Sequence, residues 1–550
     1  MGIEQATENL LDVTAKKAKL NLIPGTPYAG GDAATPPMGW SSWNTFRNRI
    51  NESLILETAE AMLKSGLTAY GYNRVNIDDC WQSSQRDANG RLQPDFGTFP
   101  SGIPALVRKV NALGIKLGIY SSNGQFTCES LPASQGNELL DARTFAEWGI
   151  EYFKYDFCHN DPLPTRAPLI EKISLISAAG GEAKEYGAGE ALLEGGAAIE
   201  RDAKLGTGYY IAGLSFGAGS ATFTVDAPAA GTYILTIGMR KKYMVKKFLV
   251  VEVNGDKTYD TIVPAVWPMT AVDGRHQMTV ELAAGENKLK FCNPIASRFD
   301  SAAYLYTRMG KALIQATEEV AAREGKPVKP ITYSICEWGF RLPWKWGRGA
   351  GNLWRTTLDI RPNWAHILAI YEVNVHLAQY AGPGGFNDPD MLEVGNGGLN
   401  YEENKSHFTL WCMMNAPLLL GNDIRKFLNP DGTPDTQNEA YKVVTNREVI
   451  ALDQDPLARQ CRRISTNGFG DILVKDLAGG DAAICFLNKG STTRLFSIPL
   501  ERLKECEYLS LPDKEEYAVK ELWTGTEGTV TETVHTTVAP HGVAVFRIYA

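Results

Sequence analysis

The sequence predicts an α/β protein that carries two all-β modules, and three observations support this prediction. Strand-like runs alternate with helix-like segments between residues 36 and 160. The pattern changes to alternating apolar and polar residues from about 180 to 304, and helical periodicity ends near residue 455. Strands that alternate with helices are typical of parallel β/α units, whereas a period of two between Gly or Asn turns is typical of antiparallel sheets.

The α/β pattern is clearest in three short β-rich runs: RVNIDDCW (74–81), IKLGIYSS (115–122) and IEYFKYDF (150–157). Between the first two, the segment IPALVRKVNALG (103–114) has apolar residues at helical spacing. A predicted amphipathic helix at 310–325 restarts the alternation after the first all-β segment.

That all-β segment contains two hairpin signals. KKFLVVEVNGDKTYD turns at an Asn-Gly pair, and HQMTVELAAGENKLKFC is predicted to turn at Gly285. Because the α/β pattern flanks the segment on both sides, we predict a β-sandwich inserted into the α/β domain, with its two ends close together. The predicted organisation is an N-terminal extension (1–35), an α/β domain (36–160 and 306–454), the inserted module (161–305) and a C-terminal β-sandwich (455–550).

Composition argues against several classes of function. The 550 residues carry 63 acidic and 55 basic side chains, a formal net charge of -8 without a basic block, so we expect no nucleic-acid partner. No apolar run reaches the roughly 18 residues that span a bilayer, so we expect no membrane partner. The N-terminus lacks the apolar core of a signal peptide, which favours a cytoplasmic protein; the alternative is a secreted or periplasmic protein whose signal has been removed. Nine cysteines without zinc-ligand spacing predict no structural metal site.

Acidic residues fall at the predicted ends of several strands. In a closed barrel these ends meet at one face, where active sites lie. Trp or Phe flanks the acids, and aromatic faces with convergent carboxylates suit a sugar, so two of them can perform glycoside hydrolysis. The acids in question are Asp78, Asp79, Asp156, Glu337, Asp359, Asp388 and Asp390.

The neighbours of Asp156 and Asp359 predict different environments for the two carboxyl groups. Because strand side chains alternate, Lys154 points to the same face as Asp156, and its ammonium favours the ionised carboxylate. Asp359 has one basic neighbour in sequence, Arg355, four residues earlier. Opposed environments are what a nucleophile and an acid/base require.

Seven motifs in order resemble glycoside hydrolase family 27, the α-galactosidase family: PPMGWSSWNTF, NIDDCW, KYDFC, SICEWG, WRTTLDI, GPGGFNDPDML and APLLLGNDIR. The resemblance covers residues 36–160 and 306–550. It implies a (β/α)8 TIM barrel with a C-terminal antiparallel β-sandwich, no cofactor, and a retaining double displacement.

The resemblance also implies roles for individual residues. Asp156 resembles the nucleophile and Asp359 the acid/base. Asp388 is interpreted as holding its loop in shape, and His159 as a loop residue. Cys128 and Cys158 resemble a disulfide beside the pocket, whereas Cys80 and Cys336 lack their usual partners. The implied sugar contacts are Trp40 beneath the ring, Asp78 and Asp79 at the 4- and 6-hydroxyls, Glu337 and Arg355 near the 2-hydroxyl, and Asp390 with Met391 at the rim. Lys154 is a further implied sugar contact.

Two positions favour galactose as the sugar. Glu337 occupies the place of the small residue found in members that accept N-acetylgalactosamine, and Asp79 is shorter than the Glu expected of an arabinopyranose pocket. The predicted function is hydrolysis of terminal α-linked galactose from carbohydrate substrates. The alternatives are a β-L-arabinopyranosidase or related family 27 exo-glycosidase and, in another class, a non-catalytic galactoside-binding protein. Aglycone and oligomeric state are left open.

The insertion resembles a carbohydrate-binding module of family 35, with FDSAAYLY (299–306) similar to its last strand. It follows Asp156 on the loop that leaves the strand, so we expect it at the active-site face, either shaping subsites for the aglycone or serving a structural or partner-binding role. Such modules often hold calcium, for which Glu182, Glu185 and Asp300 are the candidate ligands.

Overall fold

A computed structural model describes residues 28–201, 208–240, 245–263 and 276–550. These residues form two compact units: one consists of residues 28–161 and 305–550, and the other of residues 162–304. Among the helices described, none is both long and apolar enough to cross a membrane.

The first unit contains the predicted TIM barrel. Its parallel strands neighbour one another in chain order, and the eighth pairs with the first. Leu392, just after the seventh strand, pairs in parallel with Leu420 of the eighth, which brings the two ends of the sheet together. The strands are β1 Met38–Ser41, β2 Arg74–Asn76, β3 Lys116–Ser122, β4 Tyr152–Asp156, β5 Thr332–Ile335, β6 Leu353–Arg355, β7 Phe386–Asp388 and β8 Leu418–Leu420.

Strand register sets which side chains lie side by side at the carboxyl ends of the strands. Tyr120 of β3 pairs with Lys154 of β4, and Ser122 pairs with Asp156. Lys154 in turn pairs with Ser334 of β5. The predicted KYD motif therefore ends β4 at the face where active sites of this fold lie.

Helices connect the barrel strands, and several begin at an Asn whose side chain accepts a backbone N–H in the first turn: Asn51, Asn363 and Asn400. The α-helices in and around the barrel are Trp43–Phe46, Glu52–Lys64, Ile103–Ala112, Glu138–Trp148, Arg298–Glu324, Trp364–Asn374, Tyr401–Met413, Glu439–Val444 and Arg447–Asp453.

The helix predicted at 310–325 begins earlier, at Arg298, so the interpretation of FDSAAYLY as a strand was wrong. Ser297 Oγ accepts the backbone N–H of Asp300, as a residue at a helix start does. The buried residues Ala302, Leu305 and Met309 then follow at spacings of three and four, which place them on one face of a helix. In a strand, residues at these spacings would not all lie on one face.

The second unit is an antiparallel β-sandwich whose two sheets enclose a core that includes Ile173, Phe223, Leu235 and Phe291. One sheet consists of Leu192–Gly195, Gly219–Ala227, Lys247–Val253, Lys257–Val263 and Gly285–Cys292. The other consists of Leu169–Ser177, Lys184–Gly187, Ala198–Arg201, Tyr209–Ala212, Gly231–Arg240 and Gln277–Leu282.

One of the two predicted hairpins is present and the other was wrong. Lys247–Val253 and Lys257–Val263 pair around Asn254 and Gly255, both with positive φ. Gln277–Leu282 and Gly285–Cys292 instead belong to different sheets. The turn between them crosses from one layer of the sandwich to the other, because Leu282 and Leu289 are both buried in the core between the sheets.

Two of the three acids proposed as calcium ligands, Glu185 and Asp300, have protein partners. Glu185 forms an ion pair with Lys172 at 2.9 Å. Asp300 accepts hydrogen bonds from the backbone of Ala296 and the hydroxyl of Ser297. Within the described ranges, no group of three potential metal ligands includes Glu182, Glu185 or Asp300. The resemblance of the insertion to a carbohydrate-binding module stays a prediction.

The C-terminal part of the first unit is an antiparallel β-sandwich with its own core around Val474, Phe486 and Ile498. A six-stranded sheet contains Arg462–Thr466, Gly470–Asp476, Ala482–Asn488, Val543–Ile548, Tyr517–Glu521 and Glu527–Val530. A two-stranded sheet contains Arg494–Pro499 and Thr533–Val538, and the short helix Leu500–Lys504 follows the first of these strands.

Candidate active site

Asp156 is the last residue of β4, and its side chain is nearly enclosed, with 6% of the residue exposed. One carboxylate oxygen accepts the backbone N–H of Phe157 at 2.8 Å, and the other accepts the Tyr120 hydroxyl at 3.2 Å. Burial raises the pKa of Asp156, while the charge of Lys154 works against this rise. The carboxyl group is therefore desolvated but held in one orientation.

Lys154 forms an ion pair with Asp78 of the NIDDCW motif, which follows β2. Its Nζ lies 2.8 Å from Asp78 Oδ2 and 5.4 Å from the centre of the Tyr120 ring. Burial alone would lower the pKa of Lys154, but the surrounding groups, first among them Asp78, together outweigh burial and raise it well above the usual value. Lys154 is therefore a permanent cation at this face of the barrel.

Asp78 and Asp79 are fixed by the backbone around them. The N–H of Asp78 donates to Ser42 Oγ at 3.0 Å. Asp79 accepts the backbone N–H groups of Cys80 at 2.7 Å and Glu129 at 3.0 Å. Burial raises the pKa of Asp79 to about 6. The Asp78 carboxylate accepts the N–H of Asp79 at 2.9 Å and pairs with Lys154, so both carboxyl groups are held in place.

Arg355, at the end of β6, holds two carboxylates with one guanidinium nitrogen. Its Nη2 lies 2.8 Å from Asp359 Oδ1 and 3.0 Å from Asp390 Oδ2. The Asp359 side chain is 70% exposed, whereas Asp390 is buried. Although desolvation opposes it, Arg355 lowers the pKa of Asp359, and the charge of Asp359 contributes to the raised pKa of Asp156. The two predicted catalytic acids therefore interact electrostatically.

The loop after β7 is fixed by its own carboxylates. Asp390 has a φ of 82°, which a non-glycine residue adopts only when the surroundings enforce it. Its N–H donates to Asp388 Oδ1 at 2.9 Å, and its carboxylate accepts the N–H groups of Met391 and Ile360, each at 2.8 Å. Asp388, whose pKa burial raises to about 6, thus holds the loop.

Two predicted sugar contacts lie deeper than expected. Trp40 is fully buried and donates its indole N–H to the Asn422 carbonyl at 2.7 Å. Glu337 is also fully buried, and both of its oxygens accept hydrogen bonds from Arg341, at 2.6 and 2.8 Å. Burial raises the pKa of Glu337 to about 7, against the effect of Arg341. In this structure both oxygens of the Glu337 carboxylate are engaged by Arg341.

Five of the ten predicted catalytic and sugar-binding residues line one cavity. Asp78, Lys154, Arg355, Asp390 and Met391 all contribute to its lining. These residues come from the loop after β2, from β4 and β6, and from the loop after β7, so distant stretches of sequence line one cavity.

The structure joins Cys128 and Cys158 by a disulfide next to Asp156. Cys128 Sγ lies 3.8 Å from Asp156 Oδ2. The donor atoms of Cys128, Asp156 and Cys158 are close enough to share an ion, but both sulfurs are consumed by the disulfide and the thiolates that would bind a metal are missing. The other seven cysteines are free.

Three residues of the site were not among the predicted residues: Tyr120, Arg341 and Ser42. Tyr120 lies in the run IKLGIYSS, where a tyrosine in a predicted strand does not by itself indicate a site residue. Its position beside Lys154 follows only from the strand register. Arg341 follows Glu337 by four residues, a spacing that could have indicated the ion pair. Ser42 follows β1 and accepts the backbone N–H of Asp78, which follows the neighbouring strand β2. No local sequence pattern indicates this contact.

Comparisons with known proteins show which proteins this chain resembles. A family model described as Alpha galactosidase A matches residues 35–187 and 241–455, and one described as Alpha galactosidase C-terminal beta sandwich domain matches residues 467–548. The Alpha-galactosidase of Cyamopsis tetragonoloba is 31% identical over 463 residues, which cover 84% of this chain and 74% of that protein. Alpha-galactosidase A of Cellvibrio japonicus is 29% identical over 531 residues, which cover 94% of this chain and 92% of that protein.

A solved structure extends the similarity to three dimensions. The crystal structure of alpha-galactosidase I from Mortierella vinacea matches with a TM-score of 0.64 and 25% identity, over 94% of this chain and 98% of that chain. The family matches cover more than half of the sequence, and they include the strands whose ends carry the acids described above. The chain therefore belongs to the α-galactosidase family, glycoside hydrolase family 27.

Proposed function

We propose that this protein is a retaining exo-α-galactosidase in which Asp156 is the nucleophile and Asp359 the acid/base. The observation that carries the proposal is the contrast between two interacting acids. Asp156 is enclosed and oriented by Tyr120 and Phe157, whereas Asp359 is exposed beside Arg355. A double displacement needs one carboxylate in a fixed position and a second one accessible to the leaving group and to water.

In the first step, Asp156 attacks the anomeric carbon of the galactosyl residue. The bond to the aglycone oxygen breaks as Asp359 donates its proton to that oxygen, which leaves a galactosyl ester on Asp156. In the second step, water attacks the same carbon, Asp359 takes the proton of the water, and Asp156 leaves. Two inversions retain the anomeric configuration.

Asp359 must carry a proton before the first step, yet Arg355 lowers the pKa of Asp359 in this structure. Arg355 has a second carboxylate partner in Asp390, at 3.0 Å. It can therefore release Asp359 without becoming an unpaired cation. Substrate that displaces water from the exposed Asp359 side chain also favours the neutral acid.

Charged groups fixed around the cavity can recognise the galactose hydroxyls. Lys154 donates and Asp78 and Asp79 accept, and the ion pair of Lys154 with Asp78 keeps both in place. Glu337 and Arg341 fill the space that an acetamido group at C2 would need, which favours galactose over N-acetylgalactosamine. The substrates are carbohydrates with a terminal α-galactosyl residue.

A panel of nitrophenyl glycosides tests the proposal. We expect hydrolysis of the α-galactoside, release of α-galactose as the first anomer seen by NMR, and loss of turnover in Asp156→Asn. Asp256→Asn, an exposed turn residue of the insertion, serves as the control and should retain activity. Release of β-galactose, a preference for β-L-arabinopyranoside, or full activity of Asp156→Asn would contradict the proposal.

A further inference from the structure

The loop after β7 joins the two ends of the barrel sheet, which are β7 and β8. In this loop, Leu392 donates its N–H to the carbonyl of Leu419 in β8 at 2.8 Å and accepts the N–H of Gly421 at 3.0 Å. The same loop carries Asp390 and Met391, which line the cavity of the site. Closure of the barrel on this side therefore involves the segment that also supplies part of the site.

Glu393 fastens this loop to the loop after β1. The residue is buried, with 3% of its surface exposed, and each carboxylate oxygen accepts a hydrogen bond from a different amide. Oε1 accepts Asn44 Nδ2 at 2.8 Å, and Oε2 accepts Asn396 Nδ2 at 2.5 Å. Asn396 Oδ1 in turn accepts the Thr45 hydroxyl at 2.7 Å. Side chains of both loops are thus joined around one buried carboxylate.

The helix Tyr401–Met413 fixes the backbone on either side of this carboxylate. The N–H of Glu393 donates to His407 Nε2 at 3.0 Å. The His407 ring packs edge-to-face against Trp411, with ring centres 4.2 Å apart. Trp411 donates its indole N–H to the carbonyl of Asp390 at 2.8 Å. One helix therefore holds Glu393 and Asp390 in a fixed relation.

The two joined loops each position an acid of the site. On the loop after β1, Ser42 Oγ accepts the backbone N–H of Asp78 at 3.0 Å. On the loop after β7, Asp390 pairs with Arg355 at 3.0 Å. Asp78 and Asp390 line the same cavity. Because binding groups must be held within roughly 0.5 Å of their productive positions, a contact that joins their supporting loops affects ligand binding.

We propose that Glu393 is a positioning residue for galactoside hydrolysis: by binding Asn44 and Asn396, it holds the loops after β1 and β7 at the separation that galactose requires. It acts through Asp78 on the side of the first loop and through Asp390 on the second. The inference rests on the proposed function and adds to it a buried residue outside the sugar contacts.

Steady-state kinetics of Glu393→Gln with nitrophenyl α-galactoside test the proposal. In this variant an NH2 group replaces one acceptor oxygen and faces the N–H groups of Asn44 or Asn396, so one hydrogen bond is lost. We expect KM and the inhibition constant of free galactose to rise together by about tenfold. Neither constant depends on the fraction of folded enzyme, so a merely structural loss would lower the apparent kcat and leave both constants unchanged.

Reversing the hydrogen bond should restore binding. In the double variant Asn44→Asp with Glu393→Gln, the amide and the carboxylate exchange places, and the remaining amide oxygen still accepts Asn396 Nδ2. We expect both constants to return to within about threefold of the wild-type values. Asn44→Asp alone should raise them, because two carboxylates then face each other. If Glu393→Gln does not fold, Asn44→Ala removes the same hydrogen bond and should raise both constants.

Glu403→Gln is the matched control. Glu403 is also buried, and its carboxylate accepts the backbone N–H of Asn400 at 2.9 Å and lies 2.6 Å from His541 Nδ1 of the C-terminal sandwich. Its replacement should change neither constant.

Two results would overturn the inference while the wild type remains active. One is unchanged constants in Glu393→Gln, or in Asn44→Ala where that variant replaces it. The other is a double variant that binds galactose no better than Glu393→Gln. A wild-type protein inactive on nitrophenyl α-galactoside would instead overturn the proposed function and, with it, this inference.

Discussion

The Lys154 ammonium lies 2.8 Å from Asp78 Oδ2, and both side chains are largely removed from solvent. A buried ion pair contributes little compared with a well-packed apolar pair, but breaking it leaves an uncompensated charge. Here the uncompensated charge would be a carboxylate within the cavity that also contains Arg355 and Asp390. The pair therefore links the stability of the barrel to the geometry of its site.

Lys154→Met should destabilise the protein by about 3–5 kcal/mol, because Asp78 loses its buried counter-ion. It should also lower kcat/KM for α-galactosides at least a hundredfold. Lys64→Met is the control, since Lys64 forms a 2.9 Å pair with Glu60 at the surface. Breaking that pair should cost less than about 1 kcal/mol. Denaturant unfolding measures the stability and steady-state kinetics the activity. Equal losses of stability in the two variants would show that the buried pair contributes no more than the exposed one.

Tyr120→Phe should shift the acidic limb of the pH–rate profile to higher pH. As the proposed nucleophile, Asp156 must be ionised, and burial already raises its pKa. Removing the 3.2 Å hydrogen bond from the Tyr120 hydroxyl takes away a contact that favours the ionised form, so the pKa of Asp156 should rise further. The profile of kcat/KM against pH measures it. A limb that stays in place, or moves to lower pH, would show that this hydroxyl does not stabilise the carboxylate.

Glu337→Gln should change how stability depends on pH. Burial raises the pKa of Glu337 to about 7 in the folded state from an ordinary value of 4.5. The folded protein therefore binds the proton more tightly than the unfolded chain, and this residue makes stability fall as pH rises from about 4.5 to 7. The Gln variant should lack that contribution, so its unfolding free energy should decrease less over this range. Parallel curves for the variant and the wild type would contradict the prediction.

Removal of the disulfide next to Asp156 should destabilise the protein. The Cys128–Cys158 bond closes a segment with a sequence separation of 30, for which the chain-entropy relation predicts about 3.5 kcal/mol. The variant with both residues changed to Ser should lose about that much stability, measured by thermal unfolding. Cys506→Ser, at a free and partly exposed thiol, is the control and should lose less than about 1 kcal/mol. An unchanged melting temperature in the double variant would contradict the prediction.

The sequence was sufficient to predict the alternating strands and helices, the acids at the strand ends and the Asn254–Gly255 hairpin. These features depend on local periodicity and turn chemistry, which neighbouring residues determine. Two interpretations in the second unit were wrong: the hairpin at Gly285 and the strand at 299–306. Local patterns did not suffice there, because the sheet that each strand joins and the start of the helix at Arg298 depend on packing against distant segments.

Within the site, too, some features could be predicted from local sequence and others depend on distant contacts. Asp156 and Lys154 could be placed on one face from alternation alone, but the Tyr120 hydroxyl reaches Asp156 only through the register of β3 with β4. The burial of Glu337 against Arg341 likewise depends on how the loop after β5 folds back, and the sequence motif does not encode its solvent exposure.

The shared guanidinium of Arg355 affects more than the orientation of its partners. If Asp359 exchanges a proton as proposed, Asp390 remains beside the arginine, so this part of the barrel does not hold an unpaired positive charge that would attract water or another anion. The proposed acid and base steps could then follow each other with little rearrangement of the surrounding protein.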